Sequence, residues 1–339
     1  MQVTTIKEIA LLSGVSISTV SRVLNHFPDV NEATRKKVLS VIDENSYVPN
    51  ANAKNLKQLS SKVICIVVRG IENAFFTPIL ETIQSDVEAA GYTPLLHHID
   101  EREEELAVAK RLVVEKKAEG IIILGGSIED RREEVADIAV PCVFVTISAE
   151  SLGLAQVSSV FVDDRKAASM AVDHLLELGH RDIAVLGGQL GQHDLVYHRF
   201  EGARDSFAAH GLTFDQQNYL ESKFSMGSAY EAVSVQLSKR NRFVTALFAM
   251  SDVMAIGAIR AILDFGLRVP EDISVIGYDG IPISEFYNPS LTTIHQPAHA
   301  LAHTSAQLVL DTIAGRQSTG QHIVLETRLV KGQSTSARA

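Results

Sequence analysis

The chain has 339 residues, of which 46 % are hydrophobic and 21 % are charged, and its formal net charge is −10. This composition excludes a disordered or low-complexity protein, and the length favours two domains with a small additional module. No apolar run approaches the ~18 residues of a membrane span, and the polar start MQVTTIKE lacks the hydrophobic region of a signal peptide, so we expect a cytoplasmic protein. The two cysteines, Cys65 and Cys142, lie in apolar runs, which predicts buried thiols and no disulfide or zinc framework.

Charge is distributed unevenly along the chain. Residues 1–60 carry seven lysines and arginines against five aspartates and glutamates, a balance of +2, whereas the rest carries 24 against 36. A mildly basic head on an acidic body indicates that an anionic partner binds the head alone.

The head has the pattern of a helix-turn-helix. The motif Thr5-Ile6-Lys7-Glu8 has the form of a capping box and predicts a helix beginning at Thr5. Ser13-Gly14 then interrupts the helical spacing, Ser16 can cap a second helix, and Asn31 can cap a third.

The second predicted helix has one polar face. If Val20 and Leu24 point to the core, the outer face consists of Ile17, Ser18, Ser21, Arg22 and Asn25. A helix that enters the major groove needs such a face. A plain helical bundle with solvated polar faces fits the same spacing.

The head resembles the N-terminal signature of the lactose-repressor (LacI/GalR) family of bacterial transcription regulators. The resemblance is carried by Thr5-Ile6-Lys7-Glu8-Ile9-Ala10, Gly14-Val15-Ser16, Thr19-Val20-Ser21-Arg22-Val23-Leu24-Asn25, Val30-Asn31, Thr34-Arg35, Val38 and Tyr47-Val48-Pro49-Asn50. It implies that Ile17, Ser18 and Arg22 read bases. Because Ile17 has no hydrogen-bonding group, its partner would be a thymine methyl. The implied DNA-binding set lies at helix starts, on the second helix and around the hinge: Thr5, Ser16, Ile17, Ser18, Thr19, Ser21, Arg22, Asn25, Asn31, Thr34, Tyr47, Asn50, Ala53 and Leu56.

Residues 49–60 join the head to the body. The segment 50–57 is polar, with Ala53 and Leu56 among its few apolar groups, and it is shorter than the ~12–15 residues of an autonomous helix in water. Composition alone favours an ordinary polar linker. The resemblance implies instead a hinge helix that orders on DNA, with Leu56 wedged between base steps of the minor groove.

From Ser61 onward, short apolar runs alternate with amphipathic stretches. The predicted strands are Val63–Val68, Ile121–Leu124, Cys142–Ile147, Ile183–Leu186, Val244–Phe248 and Ile273–Ile276. The predicted helices are Ile79–Ala90, Ala168–Leu178, Ala255–Phe265 and Ala300–Ile313. Strands that alternate with helices imply an α/β protein with buried parallel sheets. The resemblance implies the two-lobed fold of periplasmic binding proteins, with one doubly wound parallel sheet in each lobe.

The expected organisation has three parts. They are a three-helix headpiece at 1–48, a hinge helix at 49–60, and an effector-binding and dimerisation domain at 61–339. The N-lobe would comprise about 61–160 and 292–325, and the C-lobe about 161–291 and 326–339. Residues 148–162 and 288–297 are expected to cross between lobes, and 323–330 to return as one strand.

Polar and aromatic side chains follow the predicted strands, where ligands bind in such sheets. Hydroxyls, acids, an arginine and aromatic faces together suit a sugar-like polyol. The resemblance implies that Arg199 and Asp279 bind the effector, that Gln296 adds a contact and that Phe76 stacks on it. The expected effector-binding set is Arg69, Phe75, Phe76, Thr146, Arg199, Ser251, Asp252, Asp279 and Gln296.

Three positions depart from the family's pattern. Thr146 stands where many members carry an acid, Ser251 stands where several carry asparagine, and Arg69 adds a base at the end of the first strand. A lost acid and an added base raise the hypothesis of an anionic effector, such as a sugar acid or sugar phosphate. A surface pair between Arg69 and Glu72 is the alternative.

Other constellations carry no catalytic prediction. Asp163-Asp164 precedes a helical pattern, where helix capping is favoured over a catalytic pair. The run from Gly187 to Gly191 lacks the spacing and the lysine of a phosphate-binding loop, and the histidines lack zinc-binding spacing. We therefore expect no enzyme, no cofactor and no metal.

The sequence thus predicts a DNA-binding transcriptional regulator, most simply a repressor of carbohydrate-utilisation genes controlled by a sugar-like effector. Its partners would be a palindromic operator and a second copy of the chain, because a lone head offers few base contacts. A nucleoside- or purine-responsive repressor, a transport-type sugar-binding protein and an α/β enzyme are the alternatives.

Overall fold

The computed structural model describes residues 5–24, 27, 29–45, 47, 61–70, 73–99, 103–128, 130–191, 194–239 and 244–338. The chain divides into two compact units, Met1–Ser60 and Ser61–Ala339. Several predictions fall outside the described residues: the hinge at 49–60, and the DNA contacts Asn25, Asn50, Ala53 and Leu56. Over the described residues, no helix is both long and apolar enough to cross a membrane.

The described residues of the first unit form three helices, α1 (Ile6–Ser13), α2 (Ile17–Leu24) and α3 (Glu32–Glu44). The capping box at Thr5 is confirmed, because Thr5 Oγ1 accepts from the Glu8 amide at 3.3 Å and Glu8 Oε2 accepts from the Thr5 amide at 2.6 Å. Ser16 Oγ accepts from the Thr19 amide at 3.1 Å and Asn31 Oδ1 accepts from the Ala33 amide at 2.8 Å, so both other caps are confirmed.

A small apolar core holds these helices together. It is formed by Ile9, Ala10, Val20, Val23, Val38 and Ile42. Gly14 ends α1 at φ +65, a conformation that suits glycine and turns the chain toward α2. The core leaves one face of α2 in solvent, where Ile17, Ser18 and Arg22 are exposed and Ser21 is half-buried.

The second unit contains two six-stranded sheets, which we call the N-lobe sheet and the C-lobe sheet. In chain order the strands are β1 (Val63–Arg69), β2 (Thr93–Ile99), β3 (Gly120–Leu124), β4 (Cys142–Val145), β5 (Val157–Val162), β6 (Ile183–Gly187), β7 (Tyr219–Glu221), β8 (Ala246–Ala249), β9 (Ser274–Asp279), β10 (Thr292–His295), β11 (His322–Leu325) and β12 (Arg328–Val330). The spatial orders are β11-β5-β4-β3-β1-β2 and β12-β10-β9-β8-β6-β7. All neighbours pair in parallel except β10 and β12, and the predicted α/β class with parallel sheets is confirmed.

Helices cover both faces of each sheet. They are α4 (Phe76–Ala89), α5 (Glu105–Lys116), α6 (Arg132–Ala136), α7 (Asp164–Glu177), α8 (Leu195–Ala209), α9 (Met226–Ser238), α10 (Asp252–Asp264), α11 (Ile283–Phe286) and α12 (Ala298–Ile313). The sheets supply the largest buried side chains, including Phe144, Phe248 and Tyr278. Cys65 and Cys142 are buried thiols, as predicted.

The crossings between lobes differ from those predicted. Residues 157–162 form β5 inside the N-lobe sheet, so the first crossing follows Val162. Residues 292–295 form β10, which pairs with β9 in the C-lobe sheet. The predicted N-lobe segment 292–325 is therefore wrong for its first four residues, which belong to the C-lobe. The single strand predicted at 323–330 is two strands, β11 in the N-lobe sheet and β12 in the C-lobe sheet.

The strands β5 and β10 were not predicted because their hydroxyl side chains break the apolar pattern of the sequence. In β5, Ser159 Oγ contacts His322 Nδ1 at 2.8 Å, and Ser158 Oγ accepts from the Gln321 amide at 3.1 Å. In β10, Thr293 Oγ1 donates to Asp252 at 2.6 Å. These hydroxyls form hydrogen bonds with residues that are distant in sequence. The pattern of neighbouring residues therefore could not predict that they are buried in strands.

The close packing of α8 against α7 in the C-lobe can be tested by a substitution at Gly202. A Cβ on Gly202 would overlap the carbonyl oxygen of Arg165. We expect Gly202→Ala to lower the free energy of unfolding by about 1–3 kcal/mol, because the helices would have to move apart. Urea unfolding measures this change. Gly227→Ala, in α9 with open space around it, is the matched control and should be neutral or stabilising. Equal midpoints for both variants would contradict the packing.

Candidate functional site

A cavity of about 730 Å³ lies between the two lobes, at the carboxyl ends of the strands. Seven of the nine predicted effector contacts line it: Arg69, Phe75, Phe76, Thr146, Arg199, Asp279 and Gln296. This volume is within the ~300–1,000 Å³ range of small-molecule sites. We refer to it as the first chamber.

Arg199 is held in the C-lobe wall of the first chamber by buried partners. Its Nε donates to Asp164 Oδ1 at 2.7 Å, and its Nη1 donates to the carbonyl of Met250 at 2.5 Å. The guanidinium carbon lies 3.8 Å from the ring centroid of Tyr278, whose hydroxyl donates to Asp164 at 2.7 Å. Burial opposes the charge, but Asp164, Tyr278 and Asp279 outweigh it and raise the pKa of Arg199. The side chain is a fixed cation that can donate to ligand oxygens.

Asp279 joins the two lobes. Its Oδ2 accepts from Asn73 Nδ2 of the N-lobe at 3.1 Å, and its Oδ1 accepts from Gln296 Nε2 at 2.8 Å. Burial raises the pKa of Asp279 to about 7, against the opposing charge of Arg199. Its φ of +117 is strained for a residue with a side chain. A buried, strained carboxylate in a cavity wall is typical of a binding residue.

Ser251 and Asp252 lie elsewhere than predicted, buried behind the cavity. Ser251 Oγ caps α10 by accepting from the Met254 amide at 3.3 Å. Asp252 accepts from the Gly280 and Ile281 amides at 2.8 and 2.9 Å, from Ser284 Oγ at 2.8 Å and from Thr293 Oγ1 at 2.6 Å. Asp252 therefore positions the loop that follows Asp279 and has no face toward a ligand.

Arg69 lines the first chamber but its charge is balanced. Its Nη2 donates to Glu105 Oε2 at 2.6 Å, and Glu105 is only 4 % exposed. Arg131 contacts the same carboxylate at 3.2 Å. Glu72, the partner considered from the sequence, falls outside the described residues. The N-lobe wall thus offers a paired arginine, which weakens the case for an anionic effector.

Two buried polar atoms of the first chamber have no hydrogen-bond partner in the part of the chain that the structure describes. They are Thr146 Oγ1 and Gln296 Oε1, in side chains that are 7 % and 2 % exposed. Thr146 also has a strained φ of +74. Buried polar groups are nearly always paired, so these two oxygens indicate positions where ligand atoms bind.

The first chamber includes residues that the sequence-based set did not contain. They are Gly70, Gly125 and Gly126 from the N-lobe, and Glu221, Ser222, Lys223, Phe224 and Ser228 from the C-lobe. Several follow β7, a three-residue strand that gives no periodic signal. Asn73 and four residues of the loop 187–199, which do follow predicted strands, also line the first chamber: Gly188, Gln189, Leu195 and Val196. Phe76 and Phe224 supply aromatic surface from opposite lobes, which suits the apolar face of a sugar ring.

The paired acids at the start of α7 have different roles. Asp163 Oδ1 accepts from the Lys166 amide at 3.0 Å, which confirms the predicted cap. Asp164 instead holds Arg199 and Tyr278, a role that required the tertiary structure. Within the described part of the chain, no three His, Cys, Asp or Glu side chains are grouped to hold a metal ion.

The exposed face of α2 is the candidate DNA-reading surface of the first unit. Ile17 is 46 % exposed, and Ser18 lies beside it. Arg22 Nη2 lies 2.7 Å from Asp29, with both side chains about half exposed. At the start of α2, Ser16 Oγ lies 2.7 Å from Ser18 Oγ and 2.8 Å from Thr19 Oγ1. Hydroxyls at a helix N-terminus and an exposed arginine can contact phosphates and bases.

The remaining predicted DNA contacts lie in α1, α3 and the segment after α3. Thr5 and Asn31 use their side chains as helix caps, while Thr34 on α3 is half-buried. Tyr47 is half-buried and packs against the head's core.

Comparison with known proteins agrees with this two-part organisation. The model described as "Bacterial regulatory proteins, lacI family" matches residues 5–50, and a periplasmic binding protein-like domain matches residues 172–335. The HTH-type transcriptional regulator MalR of Clostridium butyricum is 39 % identical over 332 residues, which are 97 % of this chain and 98 % of that protein.

Solved structures of similar proteins cover nearly the whole chain. The lac repressor dimer bound to operator and the anti-inducer ONPF matches with a TM-score of 0.80 and 27 % identity, over 99 % of this chain and 100 % of that one. The complex of the transcriptional regulator CelR with cellobiose matches with a TM-score of 0.71 and 29 % identity, over 98 % and 99 %. With a helix-turn-helix head, a two-lobed body and a relative of this identity along its full length, the chain belongs to the LacI family of bacterial regulatory proteins.

Proposed function

We propose that this protein represses transcription by binding a palindromic operator as a homodimer, and that a sugar-like effector bound in the first chamber controls this binding. The observation that carries the proposal is the first chamber itself, where Arg199, Asp279 and Gln296 present fixed donors and acceptors beside aromatic surface. Sugar hydroxyls need both kinds of partner, and CelR, a similar structure, is complexed with cellobiose. The regulated genes would then serve carbohydrate use.

The DNA-binding part of the proposal rests on α2. Ile17, Ser18 and Arg22 are the base-reading residues, and the other polar residues of the predicted set contact the DNA backbone. An exposed isoleucine beside a serine and an arginine combines an apolar contact for a thymine methyl with hydrogen-bond donors for base edges. Two heads related by a two-fold axis would read two half-sites, as symmetric dimers do. The lac repressor, a similar structure, is a dimer bound to operator.

Control by the effector follows from the position of the first chamber between the lobes. A ligand that contacts both walls favours one relative position of the lobes over another, because its binding energy differs between them. The Asn73–Asp279 hydrogen bond already links the lobes, so a ligand at Asp279 acts directly on that link. Coupling free energies in such systems are about 1–3 kcal/mol, which corresponds to a change in operator affinity of roughly 5–150-fold.

The direct test is a mobility-shift titration on the DNA upstream of the gene, with a panel of sugars and purines at stated salt concentrations. We expect preference for a palindromic site over random duplex, and a change in that affinity with a sugar. Equal binding to all duplexes would overturn the DNA-binding proposal. A response to a purine alone would overturn the sugar effector and leave the regulator in place.

Arg22→Ala tests the reading surface of α2. We expect a loss of about 1–3 kcal/mol in operator binding and a reduced preference over random DNA, because a bidentate contact to a guanine would be lost. Lys36→Ala removes the same charge from α3, where Lys36 is exposed, and serves as the matched control. The control should retain the operator preference. An unchanged preference in Arg22→Ala would remove Arg22 from base reading.

A further inference from the structure

A second cavity, of about 520 Å³, lies beside the first chamber. We call it the second chamber. Gly126, Thr146 and Leu195 line both chambers, so the two share a wall or an opening at these residues. Nothing in the proposed recognition by Arg199 and Asp279 uses this second space.

The chambers are displaced from each other along the carboxyl edge of the N-lobe sheet. The first is bordered by residues that end or follow β1, β3 and β4, and the second by residues that follow β3 and β4 and by Phe161 and Val162 of β5 and Val324 of β11. Neighbouring strands lie about 4.8 Å apart, so the second chamber extends about 10 Å beyond β4, where the first one ends. That distance exceeds the width of one pyranose ring.

Thr146 occupies the junction between the chambers. It is 7 % exposed, it has a strained φ of +74, and its Oγ1 has no hydrogen-bond partner among the described residues. A buried hydroxyl without a partner is costly, and an oxygen of a ligand would satisfy it. A ligand that passes from one chamber to the other would supply an oxygen at this point.

The second chamber carries an excess of acidic side chains. Its lining includes the carboxylates of Glu150, Asp163, Asp164 and Asp194, with Arg165 and His198 as the basic groups. The cation of Arg165 is paired with Asp205 at 2.5 Å. In the first chamber, Glu105 pairs with Arg69 and Asp164 pairs with Arg199, and the lining also carries Lys223, Glu221 and Asp279. Neither arginine offers an unpaired charge to an anionic ligand, and the carboxylates of the second chamber readily accept from neutral hydroxyls.

We infer that the effector is a neutral oligosaccharide of at least two rings. One ring lies against Arg199 and Asp279 in the first chamber, and the next lies beside Ser148 and the half-buried ring of Phe161 in the second. Thr146 contacts the ligand where the two rings are joined. This inference rests on the proposed sugar effector and specifies its length and charge.

Calorimetric titration of the full-length protein with sugars tests the inferred length and charge of the effector. The probes are glucose, maltose, cellobiose, lactose, maltotriose and glucose 6-phosphate. We expect at least one neutral disaccharide or trisaccharide to bind about tenfold or more tightly than glucose, a difference well above the error of such measurements. A tightest response to glucose or to its phosphate would overturn the inference while leaving the sugar effector standing. Binding of no sugar at all would overturn both.

Ser148→Phe tests the position of the second ring. Ser148 is exposed on the rim of the second chamber, and a phenyl ring there would fill part of it without touching the buried core. We expect the affinity for the oligosaccharide to fall to about that for glucose, with glucose binding unchanged within about twofold. Ser318→Phe, at an exposed position outside both chambers, is the control and should leave both affinities as they are. Equal weakening of both ligands by Ser148→Phe, or no weakening, would overturn the inference.

Discussion

Replacement of Arg199 by methionine is expected to lower the free energy of unfolding by about 3–5 kcal/mol and to abolish the response to effector. Methionine keeps much of the side-chain volume but leaves the carboxylate of Asp164 buried without its cation. The hydrogen bond from the Tyr278 hydroxyl to Asp164, at 2.7 Å, remains. One neutral hydrogen bond does not offset the cost of burying an unpaired carboxylate. Urea unfolding measures the stability, and a mobility shift with effector measures the response.

A second variant separates the two consequences. In Arg199→Met combined with Asp164→Asn, the carboxylate that Arg199 contacts directly is removed together with the arginine, and the new side-chain amide oxygen can still accept from Tyr278, so most of the lost stability should return. The effector response should not return, because the donor to the ligand remains absent. Arg268→Met removes an exposed arginine from a surface pair with Asp272, outside both chambers, and should leave both readouts unchanged. A stable, unresponsive double variant supports both roles of Arg199, whereas a responsive one would remove Arg199 from the effector site.

Asp279→Asn is expected to weaken effector binding by about 10–150-fold, since hydrogen bonds to a charged group contribute about 1.5–3 kcal/mol. The fold should tolerate the change. Gln296 Oε1 has no partner, so rotation of that amide would let it accept from the new side-chain amide. Titration calorimetry with the best-binding sugar measures the loss. Wild-type affinity in this variant would show that the ligand does not contact Asp279.

The same variant should change how stability depends on pH. Burial raises the pKa of Asp279 to about 7, and that of Asp252 to about 6. The folded protein therefore binds more protons than the unfolded chain between about pH 4 and pH 7. The stability contributed by these protons is full below about pH 4 and is lost as the pH rises through these folded-state values.

The Tm difference between Asp279→Asn and the wild type isolates this contribution. We expect the variant to gain in Tm relative to the wild type as the pH rises from 5 to 8. The titration of the buried histidines is common to both proteins and cancels in the difference. The titration of Asp252 contributes in the same direction, because its charge raises the pKa of Asp279 and the two carboxyl groups are coupled. A Tm difference that does not change with pH would show that Asp279 is ionised at pH 5.

Much of the head could be predicted from the sequence because its signals are local. The caps at Thr5, Ser16 and Asn31 connect residues two or three positions apart, and the core positions recur at helical spacing. Exposure of Ile17 and Arg22 then follows from the same periodicity. Local hydrogen bonds and a single small core leave few alternative arrangements.

The effector site was predicted only in part. Positions directly after strands placed Arg69, Thr146 and Asp279 at the cavity, because carboxyl ends of parallel strands meet at one edge. The same rule brought in Ser251 and Asp252, which also follow a strand but point away from the cavity to cap a helix and hold a loop. The position of a residue directly after a strand shows at which edge of the sheet it lies. It does not show whether its side chain points into the cavity.

Apolar periodicity and short-range capping are properties of neighbouring residues, so the class of the fold, the helix caps of the head and six of the twelve described strands of the body could be predicted from the sequence. The division of the strands between the lobes could not, since β5 and β10 carry hydroxyls whose partners are distant in sequence and are known only from the folded structure. The tertiary structure also decided that Asp164 holds Arg199 and that Glu105 balances Arg69. Charges and hydroxyls are stable in a protein interior only when paired, and those pairs form between segments that folding brings together.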